Sequence, residues 1–286
     1  MSSNIVNIKR KALDNFKELG SGGFSTVYKV RYELSLQNYS YAYPRGHPEY
    51  IFAAVKKLHA PDYKELELLS KLKHPYVVKL FGVVNEIPDF FLVLELCEGG
   101  SLRSYLNKHK KTPLHLNLAY TWIEQGALAI QYLHSEKVIH RDLKADNFLI
   151  SRTRNIKLCD FGISKRGDRT ITVSCLKGTF GWTAPECFED QDHVSPLSDI
   201  FSFGICIWEI LTREVPFEKC EYAHVMHRVC LQKERPRIPD SCSPKIVELL
   251  EKCWKGSDER KQRPSIDDVV TTVSEVRKQI QCKYHF

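Results

Sequence analysis

Eight consecutive residues, His140-Arg141-Asp142-Leu143-Lys144-Ala145-Asp146-Asn147, set a carboxylate, an ammonium and a carboxamide close together. Their order fits the loop pattern H-R-D-L-x-x-x-N, in which the aspartate takes the proton of an attacking hydroxyl and the asparagine holds a metal ion. Lys144, two residues past Asp142, can reach a transferring phosphate, where a compact ammonium neutralises developing charge. Downstream, Asp160-Phe161-Gly162 adds a hard oxygen donor of the kind that lets Mg²⁺ bridge phosphates. Upstream, the turn Gly20-Ser21-Gly22-Gly23-Phe24-Ser25 lets backbone N–H groups approach a triphosphate with no Cβ in the way. Lys56 closes the run Ile51-Phe52-Ala53-Ala54-Val55 and offers a cation to the same anion. Each feature alone has a plainer explanation, since loop aspartates often only form turns and strand-end lysines often only face water. Their order along one chain points instead to phosphoryl transfer, a reaction catalysed mainly by positioning and charge neutralisation.

These side chains need a scaffold. The residues after the glycine turn, Thr26-Val27-Tyr28-Lys29-Val30, are β-branched and aromatic, so the turn joins two strands and does not open into a helix as a dinucleotide-binding turn does. Its third glycine position is Ser25. The spacing predicts a further strand at 51–56 and a short helix that starts near Pro61 and Asp62 and carries Leu66, Leu69 and Leu72. Strands are expected at 77–84 and 90–95, followed by Gly99-Gly100 and by Ser101 as a helix N-cap. Leu118, Trp122, Ile123, Leu128, Ile130 and Leu133 recur at helical spacing over 116–134. Residues 148–150 and 156–158 read as a hairpin. The stretch 198–212 is apolar nearly all round, which places it inside a core. Ser265 and Asp268 form a capping box for a last helix that buries Ile266, Val269, Val270, Val273, Val276 and Ile280. The aromatic, proline-containing insert at 31–50 reads as an exposed strand connection.

Composition narrows the classes. Hydrophobic residues at 43% and charged residues at 27% are those of a folded chain of 286 residues. A net charge of +7 without any long run of Lys or Arg gives no basis for nucleic-acid binding. Ten cysteines lie singly with no C-x-x-C pair, so reduced thiols in a cytoplasmic protein are expected, with Cys159 as a small buried hydrophobe. The amino-terminal residues lack an apolar signal core, and the apolar stretch 200–211 is too short to cross a bilayer, so no membrane association is expected.

With Ala184-Pro185-Glu186 and Arg263-Pro264-Ser265 following in order, the chain resembles the eukaryotic protein kinase family over nearly its whole length. The resemblance implies an α+β, bilobal protein kinase fold. A tail at 1–13 precedes a kinase domain at 14–283, which comprises a small β-rich N-lobe with one helix (14–96), a hinge (97–100) and a larger helical C-lobe (101–283). ATP and Mg²⁺ are implied between the lobes. Leu19, Gly20, Ser21, Gly22, Gly23, Phe24, Ser25, Val27, Ala54, Lys56, Leu94, Glu95, Cys97, Leu149 and Asp160 are the implied nucleotide contacts, with Asn147 and Asp160 as metal ligands. Asp142, Lys144, Asn147, Lys56, Glu65 and Thr179 are the implied catalytic set. Lys56 needs an anionic partner to hold it against the phosphates; Glu65 is the first candidate and Glu67 the second. Thr172 or Ser174 is implied as a phosphorylation switch that pairs with Arg141. Asp199 is expected to bond the backbone of the catalytic loop, and Glu186 to find Arg263.

Lys144, Gly178-Thr179-Phe180-Gly181-Trp182 and Leu211-Thr212-Arg213-Glu214-Val215-Pro216-Phe217 look most like the mixed-lineage group of the tyrosine-kinase-like branch. That group resembles MAP kinase kinase kinases, so the implied substrate is a protein, namely another kinase. Lys144 indicates serine/threonine specificity, whereas Trp182-Thr183 is similar to tyrosine kinases, and a dual-specificity or tyrosine kinase stays open. A pseudokinase scaffold also stays open, although Lys56, Asp142, Asn147 and Asp160 are all present. The sequence does not define an oligomeric state.

Overall fold

The computed structural model describes residues 5–22, 25–34, 50–58, 63–112, 114–161, 180–189 and 194–283. Gly23, Phe24, the insert at 35–49, Pro61, Asp62, Gly162, Thr172, Ser174, Gly178 and Thr179 lie outside the described residues. The chain divides into two compact units, 1–98 and 99–286.

The first unit is built on an antiparallel sheet of β1 (Leu13–Ser21), β2 (Ser25–Glu33), β3 (Tyr50–Leu58), β4 (Leu80–Glu86) and β5 (Asp89–Glu95), in the order β1-β2-β3-β5-β4. A helix, α1 (Tyr63–Lys71), packs against β4. Alternation along β3 sends Ala53 and Val55 into a cluster with Val30, Tyr32, Val84, Phe91 and Val93. The register pairs Val27 with Lys56, Lys56 with Leu92, and Ala54 with Leu94, so these five residues share the opposite face. β4 begins at Leu80, later than the apolar run suggests, because Val77 and Val78 are buried in the connection before it, where the Val77 N–H donates to the His74 carbonyl at 3.2 Å.

The outer edge of β4 is covered by the amino-terminal segment. Ile8 N–H donates to the Val83 carbonyl at 2.8 Å, and Val83 N–H donates to that of Val6 at 2.9 Å. This approach requires Gly82, where a Cβ would lie 2.4 Å from the Val6 oxygen. Arg10 fastens the same segment through Nε to Asp89 Oδ2 at 3.2 Å. Pairing an otherwise open edge removes a template for intermolecular strand addition.

The second unit contains α2 (Leu102–Lys108), α3 (Leu116–Ser135), the hairpin β6 (Phe148–Ile150) and β7 (Ile156–Leu158), α4 (Pro185–Glu189), α5 (Pro196–Thr212), α6 (Tyr222–Met226), α7 (Pro244–Cys253) and α8 (Ile266–Lys283). Ser101 caps α2 by accepting from the Ser104 N–H at 3.2 Å. Every residue of α5 from 198 to 210 is buried, which makes it the central post that its apolar circumference predicts. α3 packs against α8 and α5, and it also sets the hairpin: Gln125 donates to Asn155 at 2.8 Å and accepts from the Ile156 N–H at 2.9 Å. Ser265 and Asp268 form the reciprocal capping pair at the start of α8. Among the described residues every cysteine is free, and Cys159 is half-buried. No described helix is long and apolar enough to cross a membrane.

Candidate active site

In the first unit, β3 and α1 bring a cation and a carboxylate together. Lys56 Nζ lies 2.7 Å and 3.0 Å from the two oxygens of Glu65, and the side chains are only 14% and 4% exposed. Glu67 instead faces outward and pairs with Lys71 one turn along the helix. Helical geometry explains the choice: Glu65 shares its face with Leu69 and Leu72, both buried, whereas Glu67 shares its own with Lys71. Val27, Ala54 and Leu94 are half-buried on the same sheet face as Lys56, and Leu19 is exposed on β1. At the glycine turn, Gly22 N–H donates to the Ser25 carbonyl at 2.8 Å, and the Ser21 and Thr26 hydroxyls lie 3.1 Å apart. Gly20 stands opposite Val27. Glu95 N–H donates to the Lys79 carbonyl at 2.9 Å, and Cys97 is buried.

In the second unit, the residues of the loop at 140–147 converge. Asn147 Nδ2 donates to the Asp142 carbonyl at 2.7 Å and to Asp142 Oδ2 at 2.9 Å, and Lys144 Nζ lies 2.8 Å from that same Oδ2. The loop hangs from α5: Asp199 accepts the His140 N–H on Oδ2 and the Arg141 N–H on Oδ1, each at 2.9 Å. His134 Nε2 lies 3.0 Å from Asp199 Oδ2. Arg141 adopts φ 76°, a left-handed conformation that these bonds must hold in place.

His140 links the loop to Asp160. Its Nδ1 accepts the Asp142 N–H at 3.3 Å, so Nε2 carries the proton donated to the Cys159 carbonyl at 3.0 Å. The Cys159 N–H returns a bond to the Asn147 carbonyl at 2.9 Å. Phe161 is buried edge-on to the His140 ring, with centroids 5.2 Å apart. Asp160 itself stands at φ 63°, another left-handed position outside glycine. Leu149 bridges to Ser101, next to the ladder in which Gly99 N–H bonds the Ile150 carbonyl at 2.9 Å.

The donor set suits Mg²⁺. Because Asn147 spends Nδ2 on Asp142, its Oδ1 is the atom able to ligate a cation, and Asp160 adds a carboxylate. No group of three or more His, Cys, Asp or Glu that could hold a metal occurs among the described residues. Mg²⁺ characteristically uses one or two carboxylates and completes its shell with water and substrate phosphates.

The segment after the undescribed 162–179 stretch is anchored by a buried ion pair. Arg263 Nη1 and Nη2 lie 2.6 and 2.7 Å from the two oxygens of Glu186, with both side chains 0% exposed. The guanidinium also donates to the carbonyls of Leu197 and Lys255. One residue at the site has no counterpart in the sequence reading: Glu209 of α5, whose oxygens reach the catalytic loop, Trp182 and Arg103. Its signal was a lone acid near the end of an apolar helix, a placement that demands partners.

Comparison with known proteins follows the same lines. The family model described as "Protein tyrosine and serine/threonine kinase" matches residues 13–273. A mitogen-activated protein kinase kinase kinase 7 of Drosophila melanogaster is 35% identical over 75% of this chain and 32% of its own length. A serine/threonine/tyrosine-protein kinase of Arabidopsis thaliana is 30% identical over 90% of this chain and 64% of its own. A dual specificity protein kinase of Dictyostelium discoideum is 33% identical over 92% of this chain and 51% of its own. The chain thus spans about a third to two thirds of the length of these relatives.

Proposed function

Because the chain belongs to the protein tyrosine and serine/threonine kinase family, we propose that it transfers the γ-phosphate of ATP to serine and threonine hydroxyls of a protein substrate. The observation that carries this reading is the convergence of Asn147 and Lys144 on Asp142 Oδ2, at 2.9 and 2.8 Å, in a loop suspended from Asp199. Asp142 orients the acceptor hydroxyl and takes its proton. Lys144 stands beside that carboxylate and meets charge developing on the transferring group. Asn147 fixes the Asp142 rotamer with its amide nitrogen. Asn147 Oδ1 and Asp160 are the assigned ligands of Mg²⁺, whose charge when bound neutralises the phosphate oxygens. Lys56, held by Glu65, is assigned to the α- and β-phosphates. Leu19, Val27, Ala54, Leu94, Cys97, Leu149 and the turn at 20–25 are assigned to the rest of the nucleotide. Thr179 is assigned to bridge Asp142 and Lys144, and Thr172 or Ser174 to a phosphorylation switch read by Arg141.

Several relatives are named as MAP kinase kinase kinases, which supports another kinase as the substrate. Dual specificity is the second reading, favoured by Trp182-Thr183 and by the names of two relatives. Incubation with labelled ATP, Mg²⁺ and a peptide library, followed by phosphoamino-acid analysis, separates the two. Label confined to serine and threonine supports the first reading; comparable label on tyrosine overturns it in favour of the second.

A further inference from the structure

The second unit carries two acid-free stretches. No Asp or Glu occurs from 99 to 123 or from 147 to 159, although the whole chain has 35 in 286 residues. The first stretch holds α2, with Lys108, Lys110 and Lys111 at its far end, and the second holds the turn between β6 and β7, with Arg152 and Arg154. All five side chains are exposed, and none forms an ion pair among the described residues. Elsewhere on this unit exposed lysines find acids: Lys233 meets Asp258 at 3.0 Å, Lys245 meets Glu275 at 2.6 Å and Lys252 meets Glu248 at 2.7 Å. A lysine in the last turn of a helix is favoured by the helix dipole, which accounts for Lys108. Lys110 and Lys111 lie past that turn and the two arginines lie on no helix, so the dipole explains none of these four.

The cations stand on a fixed frame. The His109 ring stacks on Tyr105, with centroids 4.1 Å apart, and its Nδ1 lies 2.9 Å from the Tyr105 carbonyl. Lys110 N–H donates to the Asn107 carbonyl at 3.2 Å, and Thr112 N–H to that of His109 at 3.1 Å. Arg213, just past α5, donates through Nη1 to the carbonyls of His109 and Thr112. Tyr105 in turn meets Trp122 of α3 edge-on at 5.1 Å, and the Trp122 indole N–H donates to the Arg154 carbonyl at 2.8 Å. One aromatic bridge therefore ties the lysine segment to the arginine turn. Arg213 is followed by a single acid, the exposed Glu214.

We propose that this basic face, built from the end of α2 and the β6–β7 turn, docks an acidic segment of a protein, a run of Asp and Glu apart from the hydroxyl that receives phosphate. That this protein is the phosphate acceptor rests on the kinase reading above. Charge complementarity selects the occupant. Five unpaired cations on a preformed frame gain ion pairs without giving up internal ones. A nucleic acid strand needs open ring faces on which to stack, and here Tyr105 and His109 cover each other while Trp122 is 1% exposed. A bilayer needs apolar side chains to enter it, and Leu116, 47% exposed, is the one large example among the described residues of both stretches. Docking outside the loop at 140–147 raises the local concentration of the acceptor hydroxyl, so it lowers KM and leaves kcat alone.

The test uses the full chain and a fluorescein-labelled peptide of alternating Asp and Gly residues, read by fluorescence anisotropy. Lys108→Gln/Lys110→Gln/Lys111→Gln is expected to weaken binding about tenfold, each exposed ion pair being worth up to about fivefold. Arg152→Gln/Arg154→Gln weakens it as well. Lys9→Gln/Lys11→Gln/Lys261→Gln, which removes the same charge from exposed lysines elsewhere, is expected to bind as wild type does. All three variants should keep the wild-type thermal midpoint. Fused to a serine acceptor peptide, the acidic run is expected to lower its KM on wild type by a similar factor and to do nothing on the lysine variant of α2, with kcat and the KM for ATP unchanged. No binding of the peptide, equal losses in that variant and the control, or a KM on wild type that the fusion leaves unchanged overturns the assignment. Tighter binding of a single-stranded oligonucleotide or of phosphatidylserine vesicles overturns it too. Peptide binding that the variant loses, shown by a wild type that transfers no phosphate, upholds the docking face and refutes the kinase reading.

Discussion

Replacing Asp199 by asparagine keeps the shape of the side chain and removes its charge, and the geometry fixes what this must cost. The carboxylate is 1% exposed and takes the His140 N–H on one oxygen, the Arg141 N–H on the other and the His134 imidazole at 3.0 Å. An amide has one acceptor oxygen. Whichever way it is turned, one backbone N–H, of His140 or of Arg141, faces an N–H₂ group. Losing a hydrogen bond to a charged acceptor costs about 1.5–3 kcal/mol, and stranding a buried donor costs about 1–3 kcal/mol more. The sum, roughly 2.5–6 kcal/mol, is a large share of the stability of about 5–15 kcal/mol that folded domains possess. The stranded N–H belongs to the loop that bears Asp142, so turnover should fall along with stability. Denaturant unfolding followed by fluorescence, with kcat and the KM for ATP measured on the same preparation, tests both. The expected result is a destabilisation of that size, a reduced kcat and an unchanged KM for ATP. A stability within about 0.5 kcal/mol of wild type, with full kcat, would refute the claim that Asp199 suspends the catalytic loop.

Other perturbations follow from the same structure. Glu186→Ala strands the guanidinium of Arg263 at 0% exposure and should cost about 3–5 kcal/mol in denaturant unfolding, with much of it restored in Glu186→Ala/Arg263→Met. Gly82→Ala places a methyl group against the Val6 oxygen and should raise hydrogen exchange at the Ile8 and Val83 amides while leaving β2 and β3 protected. Lys56→Met should abolish phosphate transfer with an unchanged far-ultraviolet circular dichroism spectrum; turnover near the wild-type rate would remove Lys56 from the mechanism. Glu209 binds a proton in the folded chain between about 4.5 and about 7 that the unfolded chain has released, so its contribution to stability declines as pH rises through that window. Unfolding curves at the two ends of the window should show this decline in the wild type and a shallower one in Glu209→Gln.

Much of this architecture was legible because several signals agreed on each element. The circumference of α5 is apolar, and such a helix can only be a buried post. Ser101, Ser265 and Asp268 carried their caps in their side-chain chemistry. Asp142, Lys144 and Asn147 sit so near one another in sequence that a tight loop must bring them together. The pairing of Lys56 was less legible, because two acids two residues apart point to different sides of a helix and the rotation of α1 decides between them. The buried positions Leu69 and Leu72 held the answer, since they share a face with Glu65. The addition of residues 6–8 to β4 could not be read at all. So short a stretch shows no alternation, and its partner Val83 lies far along the chain. Glu209 was overlooked because apolar periodicity explains α5 well enough without asking what one buried acid must bind.

The proposed activity requires phosphate to pass from a metal-held nucleotide to a protein hydroxyl at Asp142. Purified wild type and Asp160→Asn, each incubated with γ-labelled ATP, Mg²⁺ and a protein acceptor, test this most directly. Label is expected on the acceptor from the wild type and none from Asp160→Asn, although both fold alike by circular dichroism. Equal label from the two proteins, or none from either, would contradict it.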